Sequence, residues 1–143
     1  MISKTAVHAV RALAALAELP PGAYAGAAEV AEQIGAPPNY LGKLLKTLAD
    51  AGLVESQKGK GGGFRLARHP EQISILDLVE PIDRVSRWSG CFLGGSRCSD
   101  RAPCAVHERW GKVRDVYLRF LRNTTLADLV GRVPGNLELV QGS

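Results

Sequence analysis

Apolar residues recur at three- and four-residue steps through the first third of the chain, the period of helices that bury one face. Ala6, Ala9, Val10, Leu13, Leu16 and Ala17 share a face, which predicts a helix over residues 3–19 with Ser3 as its N-cap. Pro20-Pro21-Gly22 ends it. A short helix is expected over 27–34, with Val30 and Ile34 inward and Gly35 as the stop. Ala36-Pro37-Pro38 follows, and proline suits the first turn of a third helix that runs to about Ala51 and ends at Gly52. Leu41, Leu44, Leu45 and Leu48 form its buried stripe, and Asn39, Lys43, Lys46 and Asp50 its polar face.

The period then changes to two. Leu53 to Gln57 alternates, Lys58 to Gly63 is a glycine-rich tip, and Phe64 to Ala67 alternates again, which predicts a two-stranded hairpin. Helix, glycine-bearing turn, helix and hairpin in this order is the layout of a winged helix-turn-helix. The fold class is therefore mainly α with a small β-hairpin. Ser74 and Asp77 have capping-box spacing and start a further helix through about Ile82. Residues 104–122 are expected to be helical. Val106, Trp110, Val113, Tyr117 and Phe120 fall at steps of four and three, the seam of a helix that packs on a partner helix. Its polar side carries Glu108, Arg109, Lys112, Arg114, Asp115, Arg119 and Arg122. Thr125 and Asp128 cap a last short helix, Leu126 to Val130. The expected organisation is a winged helix-turn-helix unit over 1–83, a cysteine-rich loop over 84–103, the long and terminal helices over 104–133, and a loosely ordered tail over 134–143.

Composition narrows the partners. The 143 residues are 45% hydrophobic, enough for one packed core, and contain no uninterrupted apolar run of membrane-spanning length. An odd count of three cysteines and no cleavage pattern at the N-terminus argue against a disulfide scaffold and for a reducing cytoplasm. Net charge is +4, and between Asn39 and Arg68 six Lys/Arg face only Asp50 and Glu55. This localised basic excess points to a polyanion. Asn39, Tyr40, Lys43 and Lys46 lie on the outer face or early turns of the third helix, where side chains reach base edges and phosphates of duplex DNA. Lys58 and Lys60 at the hairpin tip would reach the DNA backbone or minor groove, each phosphate contact adding salt dependence. No nucleophile–base set or carboxylate pair stands out, and Gly59 to Gly63 lacks the Gly-Lys-Ser/Thr ending of a phosphate loop, so the chain does not read as an enzyme.

All three cysteines, Cys91, Cys98 and Cys104, cluster with His107 in one glycine-bearing stretch. Three thiolates and an imidazole are a full ligand set for an iron–sulfur cluster or a tetrahedral zinc. Cys104 follows Pro103 and opens the long helix, where the helix dipole favours its thiolate, and His107 lies three residues on, on the same helix face. The gaps of six and five residues between the cysteines lack the Cys-x-x-Cys pair common in zinc and redox sites. They suit the perimeter of an iron–sulfur cluster better, but spacing alone leaves both metals open. His8 lies among small apolar residues and reads as packing. His69 reads as a solvated loop residue, and Trp88 and Trp110 as covers of the loop and the helix seam.

These motifs resemble the Rrf-two family of bacterial winged-helix transcription regulators, of the IscR, NsrR and RirA type. The resemblance runs from about Met1 to Val130. It rests on Pro38-Asn39-Tyr40-Leu41 with Leu44, Leu48 and Gly52-Leu53-Val54, on Lys58 to Phe64, on Ile73-Ser74-Ile75 with Leu78-Val79 and Ile82-Asp83, and on Thr125 to Leu129. The resemblance implies a homodimer built on the helix at 104–122 and a palindromic DNA operator. It implies a regulator, repressing or dual-acting, whose affinity follows an iron–sulfur cluster (4Fe–4S or 2Fe–2S) held by Cys91, Cys98 and Cys104. His107 matches the histidine ligand of some members. Others use a carboxylate from the partner's first helix, but this chain has no acid before Glu18, which leaves His107 favoured and His8 as runner-up. Iron status, redox stress and nitric oxide are the signals implied. A zinc- or thiol-based redox regulator and an iron–sulfur carrier are the alternatives.

Overall fold

The computed structural model describes residues 2–85 and 105–131. Six helices and one hairpin are found there: α1 (Lys4–Ala17), α2 (Ala27–Ile34), α3 (Pro38–Asp50), β1 (Val54–Gln57), β2 (Gly63–Leu66), a 3₁₀ turn (Pro70–Gln72), α4 (Ile75–Asp83), α5 (His107–Asn123) and α6 (Leu126–Leu129). This is a winged helix-turn-helix followed by a long helix.

The core gathers around α1, which packs on α2, α4, α6 and β2. Ala6, Ala9 and Ala12 are fully buried, and their small side chains let neighbouring helices come close to the α1 backbone while Leu13 and Leu16 fill the space beyond. Ser3 caps the helix as expected, its Oγ accepting from the Ala6 amide at 3.0 Å. Asp83, the last residue of α4, then accepts from both the Ser3 amide and the Ser3 hydroxyl. The start of α1 is thereby tied to the end of α4.

The α2–α3 pair follows from its stop and start signals. Gly35 takes the left-handed conformation (φ 72°), where a Cβ would be strained, and turns the chain between the helices. Pro37 and Pro38 open α3. Leu41, Leu44, Leu45 and Leu48 are all buried, and Leu53 and Val54 extend the same core into the hairpin.

The hairpin is antiparallel, with Val54 opposite Leu66, Glu55 opposite Arg65, Ser56 opposite Phe64 and Gln57 opposite Gly63. Its second strand begins one residue earlier than the alternation indicates, because Gly63 pairs with Gln57 while lying against the connection between α1 and α2. There Ala25 and Phe64 exchange two backbone hydrogen bonds of 2.9 and 2.8 Å. A Cβ on Gly63 would stand 2.4 Å from the Ala25 carbonyl oxygen. The second strand of the wing is thus fastened to the body close to its turn.

Ser74 and Asp77 form the expected capping box at the start of α4, and Thr125 and Asp128 form a second one before α6. The two boxes lie side by side. Ile75 donates its amide to the Thr124 carbonyl, and Leu126 donates to the Ile73 carbonyl. Through this clip the chain beyond α5 returns to the core, where Leu121 and Leu126 are buried. Helix α5 begins at His107, not at Cys104. Ala105 and Val106 form a turn, and Val106 sits at φ −111°, ψ 6°, outside the helical range, while its carbonyl accepts from Trp110.

Gly63→Ala is expected to lower unfolding stability by roughly 1–3 kcal/mol, and by more than Gly61→Ala, whose added Cβ meets nothing within 4 Å. Urea unfolding of both variants checks this, and equal losses would contradict a second strand fastened at Gly63.

Candidate nucleic-acid interface and cysteine loop

The inward pull on the leucine stripe decides which α3 residues meet solvent. Asn39, Lys43 and Lys46 are exposed on the opposite side. Lys58 and Lys60 are exposed in the turn that joins the strands. Of the six residues expected to face DNA, Tyr40 alone is half-buried. Its ring packs edge-on against the His8 imidazole, with centroids 5.4 Å apart at 73°, and its hydroxyl lies 3.0 Å from His8 Nδ1.

Two side chains of α1 therefore have roles that the apolar pattern did not reveal. Burial, and after it the charges of Arg11 and Lys4, push the His8 imidazole below its ordinary pKa, so the neutral ring is favoured. A neutral ring with its proton on Nε2 leaves Nδ1 free to accept the Tyr40 hydroxyl proton. Arg11 is 6% exposed, and its Nη1 donates to the Ile34 carbonyl at 3.2 Å, at the C-terminal end of α2. A guanidinium there meets the negative pole of the helix. The signal for both was present: His8 and Arg11 are polar residues one helical turn apart in a run dominated by alanine, leucine and valine.

The wing carries a second local network. Arg65 Nε lies 2.9 Å from Glu55 Oε2, its partner across the strands, and the guanidinium sits 4.7 Å from the centre of the Tyr24 ring. Arg65 is thus engaged within the protein, and the lysines at the tip are the cations the wing presents to solvent.

On α5, Val113, Val116 and Phe120 are 55%, 61% and 56% exposed. Tyr117 stacks on Phe120 with centroids 6.2 Å apart. Burial, then the charge of Asp83, pushes the Tyr117 phenol up, which keeps it protonated. Val113, Tyr117 and Phe120 belong to the expected seam; Val116 joins it. Contiguous apolar side chains left in water on one helix face mark a surface built for a partner.

The expected ligands Cys91, Cys98 and Cys104 lie outside the described residues, as do Trp88 and the tail beyond Pro134. His107 is half-buried in the first turn of α5. Helix α5 is described from His107 onward, after the turn at Ala105 and Val106, and the expected sharing of a helix face by Cys104 and His107 lies outside the described residues. Among the described residues, no three His, Cys, Asp or Glu side chains group in a way that could hold a metal ion, and no helix is long and apolar enough to cross a membrane.

Taken together, the exposed polar edge of α3, the fastened wing and the long carboxy-terminal helix define a DNA-binding protein of the winged helix-turn-helix class. The profile of the Rrf2 family, described as iron-dependent transcriptional regulators, matches residues 2–132, and the chain belongs to that family. A protein of Aquifex aeolicus (strain VF5), described as an HTH-type transcriptional regulator, is 35% identical over 104 residues, which span 71% of this chain and 72% of that one. Among solved structures, CymR, the global cysteine regulator of B. subtilis, superposes with a TM-score of 0.75 at 25% identity over 94% of this chain and 98% of its own. IscR of T. potens superposes with a TM-score of 0.74 at 28% identity, over 94% and 88%. CymR of Staphylococcus aureus in its oxidized form gives 0.73 at 27%, over 94% and 98%. These relatives are described as regulators, and this chain is a DNA-binding transcriptional regulator of the same family.

Arg11→Met retains the aliphatic bulk but leaves the Ile34 carbonyl without its charged donor. A loss of roughly 1–3 kcal/mol of unfolding stability is expected, the range for a buried group deprived of its partner. Chemical denaturation measures it, and wild-type stability would show that the bond is idle.

Proposed function

We propose that this chain is a homodimeric regulator, repressing in its DNA-bound form, that reads a palindromic operator with α3 and whose affinity for it is set by an iron–sulfur cluster. The observation that carries the reading is the division of α3: four leucines buried on one side, and Asn39, Lys43 and Lys46 exposed on the other. A helix of this width enters the major groove with its outer side chains at the base edges. Lysine donates to guanine or phosphate, asparagine pairs adenine, and Lys58 and Lys60 on the wing reach the flanking backbone.

A second copy of the chain is the partner for α5. The exposed Val113, Val116 and Phe120, with half-buried Tyr117 among them, run along one side of α5, and two such helices packed together remove them from water. A two-fold dimer presents two reading helices to half-sites about one helical turn apart.

Cys91, Cys98, Cys104 and His107 are the residues that would hold the cluster. The chemistry of this donor set fits it, and the family description as iron-dependent supports it. When bound, the cluster supplies a centre that responds to oxidants, to nitric oxide and to iron supply. The chain contributes the thiolates and the geometry around them: α4, tied to α1 through Asp83 and Ser3, leads into this segment, and α5 leads out of it with His107 in its first turn. Any rearrangement of the ligand loop therefore pulls on α4, which packs against α1, and on α5, which packs against α4. Likeness to CymR, one structure of which is an oxidized form, favours thiol oxidation at the same cysteines as the second reading. Anaerobic purification separates them: iron and sulfide bound in stoichiometric amounts, lost in Cys98→Ala together with the change in operator affinity, supports the cluster. Colourless protein whose DNA binding follows thiol oxidation supports the other.

Lys43→Ala should weaken operator binding by roughly 1–3 kcal/mol, and Lys58→Ala should lower the slope of log affinity against log salt by about one. Fluorescence anisotropy over a salt series reads both, and unchanged binding in both variants would overturn the assignment of α3 and the wing. Val116→Glu replaces an exposed side chain, so the monomer should still fold while sedimentation shows the dimer lost. A dimer that survives would place the interface elsewhere.

A further inference from the structure

The helix that reads DNA has no side-chain cap of its own. Its N-cap is Pro37, and no side chain closes the first turn. The leucine stripe holds α3 to the body, but apolar burial is non-directional and tolerates small rotations of a helix about its axis. A hydrogen bond is directional and does not. Among the described residues, the polar tie from the first turn of α3 to the body is the 3.0 Å contact between the Tyr40 hydroxyl and His8 Nδ1. One turn further along α1, Arg11 holds the Ile34 carbonyl at the end of α2. The two bonds bracket the Gly35–Pro37 turn from both sides. Helix α1 is itself anchored, since Asp83 binds the amide and hydroxyl of its cap Ser3.

We propose that Tyr40 and His8 are positioning residues: their hydrogen bond sets the angle at which α3 is presented, and Tyr40 does not itself read the operator. The proposal rests on α3 being the reading helix. Half-burial of Tyr40, with its ring against the His8 imidazole and its hydroxyl engaged inside the protein, sets it apart from Asn39, Lys43 and Lys46, which are exposed. A reader's polar atom must be free to reach a base edge, whereas this one is spent on α1. Base readout depends on placing several donors together, so a loosened helix loses its preference for the operator while its lysines still attract any duplex.

The test uses the full-length protein and two duplexes, an operator selected from a random-sequence pool and a scrambled duplex of the same length. Tyr40→Phe keeps the ring and its packing and removes only the hydroxyl. His8→Leu removes the acceptor, and His8→Asn restores one close to the position of Nδ1. Each of the first two should weaken operator binding about three- to tenfold, the equivalent of one neutral hydrogen bond. Their double variant should bind no worse than either alone, because both delete the same interaction. Binding to the scrambled duplex should not change, and His8→Asn should recover most of the operator affinity. If Tyr40→Phe weakens binding while His8→Leu does not, or if the two losses multiply, Tyr40 touches DNA directly and the proposal is wrong. If neither has an effect, the bond is idle and the proposal is wrong. Lys43→Ala run alongside separates this failure from a deeper one: should it too leave operator binding intact, α3 is not the reading helix and the functional reading falls as well.

Discussion

Burial of one leucine stripe governs the rest of the structure. Leu41, Leu44, Leu45 and Leu48 can leave water only by facing the alanine-rich side of the core, and once they do, the other side of α3 must face out. The chain places Asn39, Lys43 and Lys46 on that side and keeps large apolar groups away from it. Each buried leucine contributes on the order of 1.5–3 kcal/mol relative to exposure, far more than any exposed lysine costs or returns in the absence of DNA. The proposed reading face is therefore a by-product of core formation, set before any ligand is present.

Burial fixes which side of α3 is exposed but not its fine angle, and polar ties to α1 add that precision. Arg11 reaches the end of α2, His8 reaches the start of α3, and Asp83 holds the start of α1. The wing is secured in another way, by the backbone bridge between Ala25 and Phe64 and by a glycine whose missing Cβ lets the two segments meet. Helix α5 differs from all of these. It buries Leu121 and rests Tyr117 and Leu118 on the core but leaves Val113, Val116 and Phe120 in solvent, as the proposed pairing with a second copy requires.

Most of this was legible in the sequence. Helical periodicity placed α1, α2 and α3 to within a residue or two, because their buried faces are leucine, valine and alanine at regular spacing. Capping residues located the starts of α1, α4 and α6, since Ser3 and Ser74 accept from the Ala6 and Asp77 amides and Asp128 accepts from the Thr125 amide. Less visible were the interactions that join elements distant in sequence. The link from Ala25 to Phe64 is made by main-chain atoms and leaves only Gly63 as a trace. The role of Tyr40 depends on a histidine thirty-two positions earlier, and a polar face read from one helix cannot reveal a partner on another. The start of α5 was placed three residues early because Ala105 and Val106 are compatible with a helix, while the turn they adopt is a matter of tertiary context. The proposed ligands rest on sequence chemistry: three cysteines and a histidine within one short stretch that follows α4 and runs into the first turn of α5.

The account stands most directly on which residues duplex DNA touches. Amide and side-chain NMR spectra of the full-length protein, recorded as a selected operator duplex is titrated in, measure this at residue resolution. The account predicts that the largest shifts fall on Asn39, Lys43 and Lys46 and on Lys58 and Lys60, with α5 little changed. Shifts centred on α5 with α3 undisturbed would contradict it.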